Sequence, residues 1–171
     1  MIPLSSAVSA SYTWSKIPRS RNYECRLNGD VIGTLSQPSM WSSKFVAETQ
    51  SGKWIFRRGG FLGNGSEILD ANSQTAIATF RGAWGYGGTL SFSDGQDFQI
   101  ECKGWWRPVW TVRRSTGEPV LHLHTREKKA EVVGTAGVEP HRTSLLMMFL
   151  LYRVRQAEED AAATAALIAA S

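Results

Sequence analysis

The chain has 171 residues, of which 42% are hydrophobic and 20% are charged. This composition is typical of a globular domain and excludes an intrinsically disordered chain. A chain of this length buries roughly 70% of its unfolded surface, so it needs no disulfide scaffold, and its two cysteines exclude one. The net charge of +4 permits an anionic partner without requiring one.

The segment from Met1 to Ala10 carries no basic residue and no long apolar run, unlike a secretory signal peptide. The longest apolar run, Leu145 to Tyr152, is well short of the roughly 20 residues that cross a bilayer. We therefore expect no signal peptide and no transmembrane span. The expected location is the cytoplasm, including the peripheral surface of a membrane.

Residues 1–20 are predicted to form an N-terminal arm. From Tyr23 to about Val133, turn signals recur about every 8–12 residues, which is typical of all-β sandwiches and barrels. Five of these turns carry Gly or Asn where a tight hairpin requires a positive φ. They are Asn28-Gly29-Asp30, Gln50-Ser51-Gly52, Ala71-Asn72-Ser73-Gln74, Asp94-Gly95-Gln96 and Ser115-Thr116-Gly117. Polarity alternates with period two between the turns, which predicts strands with one buried face.

The strand region contains an internal repeat. Trp54–Leu62 aligns with Phe98–Trp106, 44 positions on, and Ala76–Phe80 aligns with Pro119–Leu123, 43 positions on. The hairpin Tyr23 to Leu35 looks like a third, partial copy. A period near 44 also suggests propeller blades, but a propeller takes about four or more blades to close. The chain holds only two copies and a partial third, so a duplicated meander closed into one barrel fits it better than a propeller.

The composition changes after Gly134. Pro140 to Thr143 has the features of a helix start, and Leu145 to Tyr152 is apolar on every face, so a helix there must be buried. We predict a central helix over 143–157 and an Ala-rich tail over 158–171. A barrel of about 10–12 strands is too wide for its own side chains to fill. The sequence therefore predicts a mainly β fold over 21–157: a closed antiparallel barrel of about 10–12 strands with a buried hydrophobic C-terminal helix.

The hairpin meander, the repeated motif Trp54–Leu62 with Phe98–Trp106, and the helix Leu145–Tyr152 together resemble the tubby-like superfamily, over roughly residues 23–155. This superfamily includes the tubby carboxy-terminal domain, the plant LURP-one-related proteins and the phospholipid scramblases. The resemblance implies a closed twelve-strand barrel around a central helix, and binding of phosphoinositide headgroups by basic residues. The cysteine cluster and calcium-binding stretch of scramblases have no counterpart here, and the Ala-rich tail is a further departure.

Basic residues recur near tryptophans in the aligned repeats. We predict anion binding by five of them, with two tryptophans at a membrane interface or stacked on bases. The basic residues are Arg57, Arg58, Lys103, Arg107 and Arg113, and the tryptophans are Trp105 and Trp106. The alternative interpretation is solvated strand faces with arginine stacked on core aromatics. The sequence alone does not show whether these side chains lie together on one surface, because a one-residue change in strand register moves a side chain to the other face.

His122 and His124 lie two positions apart on a predicted strand and so share a face. They form a weak candidate metal pair, which His141 or Glu127 would have to complete. A hydrogen-bonded or exposed face is the alternative. No catalytic residue and no cofactor are predicted, because neither a G-x-S-x-G motif nor a paired-carboxylate arrangement is present.

These observations predict a non-enzymatic module that binds anionic lipid headgroups, or a protein partner, at a membrane surface. One alternative is a nucleic-acid-binding β-barrel that uses the same arginines and tryptophans. Another is a metal-dependent enzyme of cupin type built on His122 and His124. A structural role, in which the tail docks on another chain, is also open, as is the oligomeric state.

Overall fold

The structure is a computed structural model that describes residues 11–59, 65–134 and 137–170. These residues form twelve β-strands followed by one α-helix. The strands β1 to β12, in chain order, are Ser11–Lys16, Tyr23–Leu27, Asp30–Ser36, Lys44–Thr49, Gly52–Gly59, Gly65–Asp70, Ala76–Gly82, Gly88–Phe92, Asp97–Lys103, Val109–Arg114, Pro119–His124 and Lys129–Val132. The helix, α1, is Pro140–Ala169.

The sheet closes into a barrel. Each strand pairs antiparallel with its neighbour in sequence, and β1 pairs with β12 to complete the ring. The predicted mainly β fold, a closed antiparallel barrel with a buried C-terminal helix, is confirmed. This architecture is also consistent with the tubby-like fold.

The first strand comes from a segment that the sequence assigned to the N-terminal arm over 1–20. Residues 11–16 instead lie in the barrel wall between β12 and β2. Tyr12 and Trp14 point into the barrel and are buried, whereas Ser11 and Thr13 alternate with them and are exposed. This period-two alternation is that of a strand with one buried face.

Helix α1 supplies the centre of the core. Its residues from Thr143 to Gln156 are buried on every side of the helix. The ring of Phe149 lies 5.5 Å from the rings of both Phe56 on β5 and Phe80 on β7. These edge and tilted contacts are the arrangements that aromatic pairs favour, and they join the helix to two nearby strands of the wall.

The helix is longer than the sequence predicted. It begins at Pro140 rather than at residue 143 and continues to Ala169, so that most of the predicted tail over 158–171 is helical. Alanine has the highest helix propensity, and the packed segment before it removes the cost of nucleation. At about 1.5 Å per residue, the exposed part after Ala157 extends about 18 Å beyond its packed part.

Because each strand runs antiparallel to the next, successive connections lie at opposite ends of the barrel. We call the two ends the helix-entry end and the helix-exit end. The helix-entry end carries the tight turns at 28–29, 50–51, 71–75, 93–96 and 115–118. The helix-exit end carries the described loops at 17–22, 37–43, 83–87, 104–108 and 125–128.

The internal repeat is visible in the register of the sheet. The hairpins β2–β3, β6–β7 and β10–β11 each contain a register shift. The shifts follow Cys25, Ile68 and Val112, which are 43 and 44 positions apart. The barrel is therefore a threefold repeat of four strands. Gly60, Phe61, Leu62 and Gly63, at the end of the first motif copy, lie outside the described residues.

The first turn of α1 is fixed to the helix-entry end. The His141 Nδ1 donates to the carbonyl oxygen of Ser51 at 2.7 Å, and the Arg142 guanidinium lies 2.7 Å from the Asp94 carboxylate. The same guanidinium stacks over the ring of Phe92, 4.1 Å from its centroid. Hydrogen bonds from Arg142 and the backbone of Gln96 hold the pKa of Asp94 below its usual value.

Replacing Phe149 by Ala is expected to reduce the free energy of unfolding by about 3–5 kcal/mol, the usual cost of truncating a fully buried Phe. The side chain is 0% exposed and contacts rings on two strands of the wall, so the space left is hard to fill by relaxation. Urea unfolding of the variant measures this loss. Leu167→Ala, in the exposed part of the same helix, is the control and is expected to change stability by less than about 0.5 kcal/mol.

Asp94→Asn is expected to destabilise the protein only where the native carboxylate is charged. The pKa of Asp94 is lowered in the folded state, so its contribution is present above the unfolded pKa of about 3.9 and disappears as the pH falls through the lower folded pKa. Urea midpoints of wild type and variant should therefore differ near neutral pH and converge in acid. Asp97→Asn, on the same hairpin, is the matched control for the removal of one negative charge. A constant difference at all pH values would contradict the role of the charge.

Candidate functional site

All five basic residues that the sequence singled out are paired with carboxylates. Arg57 contacts Glu67 at 2.5 Å, and Arg58 contacts Asp160 of the helix at 3.3 Å. The remaining pairs are Lys103–Glu101 at 3.2 Å, Arg107–Glu127 at 3.9 Å and Arg113–Glu101 at 3.3 Å. These pairs are partly exposed, where an ion pair contributes little to stability and its partners can exchange.

The five residues do not form one patch. Arg57 and Arg58 lie on β5, whereas Lys103 ends β9, and three strands separate β5 from β9 in the wall. Arg113 lies towards the helix-entry end, where its guanidinium donates to the Gly117 carbonyl at 3.0 Å. Only Lys103 and Arg107 lie beside the predicted tryptophans, at the helix-exit end.

The helix-exit end carries four exposed tryptophans, which we call the tryptophan rim. Trp105 and Trp106, the predicted pair, are 90% and 67% exposed. Trp41, in the loop 37–43, is 93% exposed, and Trp84, in the loop 83–87, is fully exposed. Large apolar side chains that share one end of a protein usually mark an interaction site, whereas single exposed ones need no explanation.

Sequence reasoning missed Trp41 and Trp84 as site residues. Both lie between predicted strands, in stretches without hydrophobic periodicity, and neither aligns with Trp105 in the repeat. The available signal was the order of the connections. The five predicted Gly- and Asn-containing hairpins are alternate connections and so share one end, which leaves every other loop, with its tryptophans, at the opposite end.

The two ends also differ in charge. Five basic residues lie in the described loops of the helix-exit end, against one acidic residue, Glu127. They are Arg19, Arg21, Arg107, Arg126 and Lys128. The described tight turns of the helix-entry end carry no basic residue and contain Asp94 and Glu118. Among the described loops and turns, the positive charge therefore lies on the end that also bears the tryptophan rim.

Three acidic residues where the helix leaves the barrel are each paired. Glu158 accepts a hydrogen bond from the Tyr23 hydroxyl, Glu159 lies 2.7 Å from Arg155, and Asp160 pairs with Arg58. Burial, followed by the contact with Glu158, raises the pKa of Tyr23, so the phenol stays protonated and donates. The contacts of Tyr23 and Arg58 join the helix to the wall, and Arg155 and Arg58 offset the charges of Glu159 and Asp160.

Arg153 joins the helix to the loop 83–87. Its guanidinium donates to the Tyr86 carbonyl at 3.1 Å and to the Gln156 side chain at 2.5 Å. It also stacks over the ring of Phe80, 4.5 Å from the centroid. Burial lowers the pKa of this arginine from a very high starting value, so the group remains charged. The loop that carries Trp84 is therefore held by a buried cation.

A cavity of about 650 Å³ opens at the helix-exit end. It lies between the last buried turns of α1 and the strands β9 and β10, below the loops 83–87 and 104–108. Its walls include Tyr86, Cys102, Trp105, Trp110, Val154 and Ala157. These side chains are predominantly apolar, and Trp105 belongs to both the cavity wall and the tryptophan rim.

The histidine pair has other partners. The Nδ1 of His122 lies 3.0 Å from the Thr111 hydroxyl, and the Nε2 of His124 lies 3.8 Å from Glu131. Burial and the neighbouring His124 lower the pKa of His122. Of the two possible third ligands, His141 packs on Trp54 at the helix-entry end, and Glu127 lies 3.9 Å from Arg107. Within 11–59, 65–134 and 137–170, no cluster of three or more His, Cys, Asp or Glu residues is arranged to hold a metal ion.

Within the described residues, no helix combines the length and the apolar character needed to cross a bilayer. Comparisons of the chain with protein-family models, with curated proteins and with solved structures gave no significant match.

Proposed function

We propose that this protein is a non-enzymatic module that binds anionic membrane surfaces through the helix-exit end of its barrel. The observation that carries the proposal is the tryptophan rim: four exposed tryptophans from three loops, on the same end as the basic loops. Tryptophan favours the boundary between water and hydrocarbon, because its ring is apolar and its N–H is polar. Lysine and arginine near an anionic leaflet contribute about 1 kcal/mol each.

The pairing of the acidic residues supports the same orientation. Carboxylates at the helix exit would repel an anionic surface, but Arg155 and Arg58 offset the charges of Glu159 and Asp160. The acidic turns lie at the opposite end, about the length of a strand away. The electrostatic field therefore favours an approach with the tryptophans towards the lipid.

We further propose that the chain is a distant member of the tubby-like superfamily. The support is the closed barrel of twelve antiparallel strands with its C-terminal helix in the core, together with the repeated register shifts. Headgroup binding in this proposal involves the loops at the helix-exit end. Lys103 and Arg107 belong to that surface, whereas Arg113 does not.

Reversing two charges, Arg21→Glu and Arg126→Glu, is expected to weaken binding to anionic vesicles by at least about 30-fold, since each lost cation contributes about 1 kcal/mol. Both residues are exposed in loops of the helix-exit end. Co-sedimentation with vesicles of phosphatidylserine and phosphatidylcholine, at low and high salt, measures the change. Wild type should bind less at high salt and should not bind vesicles of phosphatidylcholine alone.

Lys53→Glu with Arg114→Glu is the matched control, because it makes the same change in net charge near the helix-entry end. It should leave vesicle binding within about twofold of wild type, given the distance from the leaflet. Equal loss in both variants, or no binding by wild type, would overturn the proposal. Salt-sensitive binding to oligonucleotides without vesicle binding would favour a nucleic-acid partner instead.

Trp84→Ala is expected to weaken vesicle binding about tenfold, which corresponds to about 1.4 kcal/mol of lost apolar burial in the interface. The side chain is fully exposed in the free protein, so its loss should not change stability. Val133→Ala, which trims an exposed apolar side chain at the helix-entry end, should have no effect on binding. Quenching of wild-type tryptophan fluorescence by brominated lipids provides a second readout. Unchanged emission on adding these lipids would show that the rim does not reach the membrane.

A further inference from the structure

The cavity at the helix-exit end has the size of a ligand site. Its volume of about 650 Å³ lies within the range of roughly 300–1,000 Å³ that small-molecule sites occupy. The space depends on two small residues of α1, Ala157 and Ala161, which are one helical turn apart and both line it. Larger side chains at these positions would fill the cavity. The helix therefore leaves room beside these two alanines.

The interior suits a hydrocarbon chain and not a charged group. Trp105, Trp110 and Val154 supply apolar walls, and no cation lies among the described lining residues. The one acidic lining residue, Glu158, is engaged by the Tyr23 hydroxyl. A buried charge without a partner is costly, so a ligand must leave any charged group outside.

Three basic residues adjoin the lining of the cavity in the chain. Lys103 lies between the lining residues Cys102 and Gly104, Arg107 precedes the lining residue Pro108, and Arg126 follows Thr125, which also lines the cavity. All three side chains are exposed. Lys103 and Arg107 form exposed ion pairs with Glu101 and Glu127, whose partners can exchange. The guanidinium of Arg126 lies 5.7 Å from the ring centroid of Trp106. An open apolar cavity with exposed cations beside it is complementary to an anionic amphiphile.

We propose that this cavity holds the hydrocarbon chain of an anionic single-chain amphiphile or one acyl chain of an anionic lipid, with the headgroup on Lys103, Arg107 and Arg126. For a ligand taken from a bilayer, the inference rests on the proposed membrane binding. A free fatty acid would use the same contacts without a bilayer. The shared chemistry is a straight alkyl chain that ends in an anion.

Cys102 provides a reporter for the cavity. Its thiol lines the wall and is partly accessible, whereas the second cysteine, Cys25, is 1% exposed. Burial raises the pKa of both thiols, so labelling is run at mildly alkaline pH. The more accessible Cys102 is expected to react before Cys25. Oleate, kept below its micelle concentration and without vesicles, is the probe. It should slow labelling of Cys102 by a small maleimide about tenfold at about ten times its Kd.

Ala161→Phe is expected to abolish this protection, because the ring would fill the cavity from an exposed helix position. Ala165→Phe, one turn further and outside the cavity, should keep it, and both variants are checked for wild-type unfolding midpoints. Oleyl alcohol should protect more weakly than oleate if the exposed cations beside the cavity hold the headgroup. Vesicles of phosphatidylglycerol, added in place of oleate, test whether a bilayer lipid supplies the chain.

The two proposals fail separately. Normal vesicle binding with no protection of Cys102 by oleate overturns the cavity proposal alone. Protection by oleate without vesicle binding overturns the membrane proposal alone and leaves a carrier of free amphiphiles. Equal protection in wild type and Ala161→Phe would show that oleate acts elsewhere, which also contradicts the cavity site.

Discussion

Enclosure of an apolar helix is the interaction on which this structure depends. Twelve strands enclose more space than their inward side chains can fill, and the segment from Thr143 to Gln156 occupies that space. From Leu145 to Tyr152 the helix is apolar on every side and would expose these side chains to water without the wall. The wall and the helix therefore bury each other's apolar surface. The contacts of Phe149 with rings on β5 and β7 are an example.

The helix also gives the barrel two unlike ends. It enters through tight turns that carry carboxylates, and His141 and Arg142 fix it there. It leaves through loops that carry tryptophan and arginine, where Arg58 and Tyr23 hold it. The cavity lies only where the helix changes from large to small side chains, at Ala157. The basic loops, the tryptophan rim and the cavity therefore all lie at the end of the barrel where the helix leaves.

The barrel and its central helix could be predicted because each rests on a local pattern. Alternating strands between Gly- and Asn-containing turns, and one all-apolar segment near the end, are readable without contacts. Strand β1 was missed, because its short alternation at Tyr12 and Trp14 precedes the first recognisable hairpin. The helix end was misplaced, because sequence does not show that the buried segment nucleates the alanines after it.

The candidate site was harder to predict than the fold. Lys103 and Arg113 both lie near tryptophans in the sequence, yet the β9–β10 register places them towards opposite ends. Trp41 and Trp84 lie at the same end as Trp105 because their loops are alternate connections of the antiparallel barrel. To predict this placement, one must know the full strand order. The cavity depends on side-chain volumes at the helix exit, which no local pattern in the sequence records.

The order of elements along the chain also constrains how the protein folds. All the strands precede the helix that fills them, and the ring closes between β1 and β12, more than a hundred residues apart. During synthesis, inward-facing residues such as Phe56 and Phe98 leave the ribosome before their partners on the helix exist. Long-range closure of this kind is slow, and open strand edges invite aggregation. Until the helix has been synthesised, the strands therefore expose apolar side chains that the helix later covers.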